Sequence, residues 1–148
     1  MGLDMFFEKR HIIWHGSGKR PKSTIEVFEG GYFRKFNALH GWIVDCCAEG
    51  VDNCKPIEVE QEKLEALLEV LTKVHEDHDL ADDLLPLTDG FFFGNRRDEQ
   101  GNLIVEYDEY YFEDVAEAIT VVKELIEWLK QPHENSNEWH EVIYQASW

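Results

Sequence analysis

The chain has 148 residues, 43% of them hydrophobic and 13% aromatic, with a formal net charge of −17; that is one domain's length and too apolar for intrinsic disorder. The opening MGLDMFFEKR lacks an apolar run of signal-peptide length, and no stretch reaches the ~20 apolar residues of a membrane span, so a single cytoplasmic domain, residues 1–148, without membrane contact is expected. A charge this negative argues against direct binding to nucleic acid and for attraction of basic partners from a distance. The charge is unevenly placed: before Ala48 seven bases meet five acids, for +2, whereas Ala48 to Trp148 holds 26 acids and seven bases, for −19.

In chain order, LDMFFEKRHIIWH is bulky and β-branched without Pro or Gly and reads as a strand. GSGKRPKS is a loop, and STIEVFEG a short second strand. From Tyr32 the period changes, with Phe33, Phe36, Leu39 and Ile43 three or four apart, so a helix is expected to about Ala48, closed by Glu49 and Gly50. KPIEVE is a short strand leading into a helix striped by Leu64, Leu67, Leu68, Leu71 and Val74. HEDHDLADDLLPLTDG breaks it as a solvated turn or short helix. Phe112, Val115, Ile119, Val122, Ile126 and Leu129 then mark a long helix, with acids at its start and Pro132 at its end. EWHEVIYQASW alternates as a terminal strand. The fold class expected is α+β, two or three long helices packed on one face of a small, mainly antiparallel sheet, with the two chain ends as neighbouring strands.

Chemistry has to be sought in clusters. On the first helix Arg34, Asn37 and His40 stand three apart, which would set a guanidinium, an amide and an imidazole in one row able to grip a phosphate or carboxylate. The competing reading pairs Arg34 with the abundant carboxylates and leaves His40 a satisfied, half-buried histidine. GFFFG cannot aim three phenylalanines into one core from a strand, so Phe92 joins Arg34, Asn37 and His40 as a candidate pocket residue. The following NRRDEQGNLIVEYDE reads as an exposed loop or hairpin. His75 and His78 in HEDH are three apart, not the four of a HExxH zinc site, and Cys46, Cys47 and Cys54 do not form paired CxxC knuckles, so neither metal nor cofactor is expected. GxSxG, P-loop and GxGxxG motifs are missing, and no catalytic residue is assigned.

The opening MGLDM, the segment YFRKFNALHGWIVD, the GFFFG block, YDEYYFEDV and the ending YQASW together resemble a widespread family of small, functionally uncharacterised bacteriophage and prophage proteins. Phe33 stands where that family usually has Trp, and the segment after GFFFG is an insertion relative to its pattern. The resemblance implies phage origin and action inside a bacterial host cell, and it carries over no reaction and no catalytic residue.

Two functions of different class follow. In one, a non-enzymatic inhibitor or nucleic-acid-mimicking decoy sets its helix acids Glu58, Glu62, Glu65, Glu69, Glu113, Glu117, Glu124 and Glu127 into the basic groove of a host or defence protein, such as a CRISPR effector. In the other, Arg34, Asn37, His40 and Phe92 line a pocket that binds, sequesters or cleaves a nucleotide-like small molecule. A homodimer joining the basic third of one copy to the acidic remainder of another is a further expectation.

Overall fold

In the computed structural model, which describes residues 2–16, 22–88, 97–102, 104 and 106–148, the first strand-like segment is β1, Asp4–His15. β1 is one of the two inner strands of the sheet. Along its length it pairs antiparallel with β2, Lys22–Arg34, on one side and with β4, Glu138–Ser147, on the other. The two-residue β3, Ile57–Glu58, adds to the outer side of β4, giving the order β2-β1-β4-β3. The chain ends are therefore neighbouring strands, as the sequence pattern suggested.

Alternation along β1 and β4 sets the faces. Met5, Phe7, Val142, Tyr144 and Ala146 point to one side and are buried. The opposite face carries Phe6, Trp14, Ile25, Val27, Tyr32 and Trp139, all exposed. On the buried side lie α1 (Asn37–Cys47), α2 (Gln61–Glu76), the one-turn α3 (Ala81–Leu84) and α4 (Glu109–Lys130). Leu39, Ile43, Leu64, Leu67, Leu71, Val115, Val122 and Leu125 fill the space between helices and sheet. The turn at His78–Leu80 and α3 occupy the segment read as a solvated turn or short helix.

Two expectations are corrected. Tyr32, Phe33 and Arg34 belong to β2, not to the first helix, because Phe6, Met5 and Asp4 take them as ladder partners. Periodicity had counted Phe33 and Phe36 as one helical stripe, yet Phe33 is the last core residue of a strand and Phe36 the N-cap of α1. The loss of Tyr32–Arg34 leaves α1 with 11 residues; α2 has 16, and α4, at 22, is the one long helix among the described residues where two or three were expected. Asp108 starts α4 by accepting from the Tyr111 amide at 3.0 Å. GFFFG lies outside the described residues, and residues 97–102 of the following segment form a turn in which Asp98 accepts from the amides of Gln100 and Asn102.

α4 crosses the sheet where β2 bulges. Phe7 faces Gly31 while Glu8 faces Glu29, so Gly30 is the extra residue. A Cβ on Gly31 would come within 2.7 Å of Val121 Cγ1 on α4. Gly31→Ala should therefore cost about 1–3 kcal/mol by overpacking. Thermal unfolding should show it as a midpoint lowered by several degrees, and adding Val121→Ala should restore more than half of the loss. Equal loss in the single and double variants would mean that the contact does not set the helix height.

Candidate functional site

The helical layer carries the charge. α4 has six acids against two lysines, and α2 four against two. At about 100° per residue, Glu113, Glu117, Glu124 and Glu127 fall within a sector of about 80° on α4, opposite its buried row of Tyr111, Val115, Ala118, Val122 and Leu125. Glu62, Glu65 and Glu69 stand likewise on α2, opposite Leu64, Leu67, Leu71 and Val74. All seven glutamates are exposed, and α2 packs beside α4. Lys73 Nζ bridges Glu69 at 2.8 Å; among the described residues no other lysine or arginine pairs with these seven carboxylates. Glu58, also exposed, stands apart on β3, opposite Ile143 and so on the helix-free face. There burial, then Glu141 and Glu60, raise its carboxyl above the usual range.

The expected row of Arg34, Asn37 and His40 is not a row. Arg34 ends β2, with its side chain 61% exposed and Nε 4.0 Å from Asp4 Oδ1. Asn37 is the first residue of α1, buried, and its Oδ1 accepts from the Thr88 amide at 2.8 Å. His40 is only 2% exposed and faces the sheet. Its Nδ1 lies 2.6 Å from the Tyr144 hydroxyl and its Nε2 3.0 Å from Asp52 Oδ2. A carboxylate oxygen accepts, so Nε2 carries the hydrogen of the Asp52 contact, and Nδ1 shares a second hydrogen bond with the Tyr144 hydroxyl. Burial holds the Tyr144 hydroxyl well above the ordinary phenol range, which keeps it a donor. The Trp148 indole donates to the other Asp52 oxygen at 3.1 Å. His40 thus bolts α1 to β4 and to the chain end. No local motif could have revealed this, because His40 and Tyr144 are 104 positions apart. Phe92 lies outside the described residues.

Arg34 and Asn37 do share a cavity of about 230 Å³ between the start of α1 and the start of α4. Its other walls bring Glu106, Asp108 and Asp114, three carboxylates that the sequence reading did not connect with Arg34. Burial first, then Glu117, Glu113 and Asp108, push the half-buried Asp114 up to about 6. With Arg34 and Lys35 set against these three carboxylates, the cavity lining carries more acid than base and disfavours a phosphate.

Histidines meet again at the far end of the sheet. His11 lies 3.7 Å from both Glu26 and Glu138, and the His140 ring centre is 4.9 Å from that of His11 and 4.7 Å from that of His133. Burial, then His133 and His11, lower the His140 pKa. Among the described residues no group of three or more His, Cys, Asp or Glu side chains is placed to hold a metal ion. All three cysteines are free thiols, and no described helix is long and apolar enough to cross a membrane. No family model, no curated protein and no solved structure matches the chain.

Because the Asp114 pKa is higher folded than unfolded, its contribution to stability is full below about pH 4 and is lost as pH rises through about 6. Asp114→Asn should therefore unfold later than the parent at pH 7.5, by about 1 kcal/mol once solvent screening of this half-exposed group is allowed for. The gap should close by about pH 4. A constant difference from pH 4 to 8 in urea titrations would show that the carboxyl is not strained by its surroundings.

Proposed function

We propose that this protein is a phage-encoded, non-enzymatic binding protein whose acidic helical layer occupies the basic nucleic-acid groove of a host or defence protein, such as a CRISPR effector. The observation that carries the reading is the pair of glutamate lines on α2 and α4, each opposite its helix's buried stripe, with Lys73 the one lysine or arginine among the described residues in an ion pair with them. Successive i, i+4 carboxylates on a helix are about 6 Å apart along the axis, and Glu113 to Glu127 spans about 21 Å. Such a line offers a basic groove a run of anions on a rigid support. The field draws the partner in at long range, and the binding weakens as salt shortens the Debye length. Glu58, on the other face of the sheet, is outside this contact. Phage origin rests on the sequence blocks from MGLDM to YQASW.

A pocket for a nucleotide-like molecule has less support. The cavity beside Arg34 and Asn37 is lined on its opposite side by Glu106, Asp108 and Asp114, and His40 is sealed against Tyr144 and Asp52. A triphosphate would face three carboxylates there.

Binding to a panel of purified CRISPR effectors and basic DNA-binding proteins, measured at about 50 and about 500 mM salt, tests the proposal. A variant with Glu113→Lys, Glu117→Lys, Glu124→Lys and Glu127→Lys should keep its circular dichroism and lose roughly tenfold to a hundredfold in affinity at low salt. Its residual binding should also respond less to salt. Undiminished affinity for the parent's partner would remove the reason for the proposal.

A further inference from the structure

β2 is the outermost strand on its side of the sheet, and it is 13 residues long. Among the described residues no strand covers its outer side, which therefore presents a row of backbone N–H and C=O groups. Its first part, Lys22–Glu29, is exposed throughout, including Ile25, Val27 and Phe28. Natural edges of this kind are usually short or broken by Pro, Lys or a bulge. Here the bulge comes only at Gly30, and Lys22–Phe28 runs in uninterrupted register with His15–Lys9 of β1. The open stretch is therefore regular and mixed in character, with Ile25, Val27 and Phe28 set among Lys22, Ser23, Thr24 and Glu26, and the group that completes its backbone is another strand.

We infer that this edge pairs with the same edge of a second copy, antiparallel, with Ile25 on the two-fold axis, to make a continuous eight-stranded sheet. Residues directly opposite in an antiparallel pair share a face, so self-pairing is limited to registers centred on a residue. Centring on Glu26 would set two glutamates face to face. Centring on Thr24 would shorten the overlap. With Ile25 at the centre, Lys22 to Phe28 of each copy pair along their length. Thr24 then meets Glu26, Ser23 meets Val27, and each Lys22 lies diagonally beside Glu26 of the second copy, within reach of a long side chain. Ile25 already faces Ile12, which faces Trp139, so the pairing joins two apolar rows across the helix-free face into one. The contact lies in the part of the chain that is net +2, while the glutamate lines of α2 and α4 sit on the other side of the sheet.

The overlap is much smaller than the ~20–30 residues a side of a standard interface, which puts the dimer in the weak, concentration-dependent class. Two bodies of charge −17 also repel, and salt screens that repulsion. Dimerisation should accordingly strengthen with salt, the opposite of the response expected for a basic partner on the helices, so the two contacts can be told apart.

Sedimentation of the full chain from about 5 to about 500 µM, at about 50 and 500 mM salt, reads the result. The expected mass rises from one chain to two with concentration and more readily at high salt. Hydrogen exchange within Lys22–Phe28 should slow over the same range. Ile25→Lys sets two ammonium groups on the axis and should stay monomeric, while Trp139→Lys, which would break a face-to-face dimer, should still dimerise. The single-chain mass under every condition would overturn the inference, as would a dimer that survives Ile25→Lys or is lost with Trp139→Lys. Should Ile25→Lys fail to fold, the concentration-dependent exchange of the parent decides: unchanged exchange in Lys22–Phe28 overturns the pairing.

Discussion

The pairing of β1 with β4 is the constraint from which the rest of this structure follows. It zips the first strand to the last across more than 120 positions, from Asp4 opposite Ser147 to Ile13 opposite Glu138. Once that register is set, alternation decides the two faces. Met5, Phe7, Val142 and Tyr144 turn to one side, and the helices have only that side on which to bury their stripes. A slip of one residue would send these four side chains to solvent and bring Phe6, Glu8, Ile143 and Gln145 inside. The His40–Tyr144 hydrogen bond then joins α1 to the same strand, so a buried polar contact repeats what the apolar pattern has already specified.

This arrangement separates the molecule's two surfaces. α2 and α4 bury Leu, Val and Ala against the sheet and put their glutamates outward, because a carboxylate in the core would stay charged only at a large desolvation cost. Asp114 shows the beginning of that cost, since burial beside three other carboxylates raises its pKa. The other face and the β2 edge keep the aromatic and β-branched groups that no helix covers. One side carries the acidic field on which the proposed partner contact rests, the other the open strand edge on which the proposed self-pairing rests. Salt should act on them in opposite directions.

The sequence disclosed what depends on local period. The stripe Leu64, Leu67, Leu71 and Val74 and the acids before α4 were legible because helix periodicity and the dipole act within a few residues. Tyr32–Arg34 were misread as helix because their strand conformation comes from partners 26 to 30 positions away in β1, beyond any local window. The same error created the row of Arg34, Asn37 and His40. Its members are separated by a change from strand to helix, and only Arg34 and Asn37 reach the cavity. The carboxylates opposite them arrive from the start of α4, some 70 positions later, and carry no local signal of that approach. The glutamate lines, in contrast, were legible because exposure follows directly from their position opposite the apolar stripe.

The central claim is that the helical acids take the place of nucleic acid. The most direct test is competition for a partner already holding a fluorescent DNA duplex, followed by anisotropy as this protein is added. If the claim holds, the duplex is displaced completely, and the protein concentration needed rises in proportion to the duplex concentration. A stable ternary complex, with duplex and protein bound together at saturation, would contradict it.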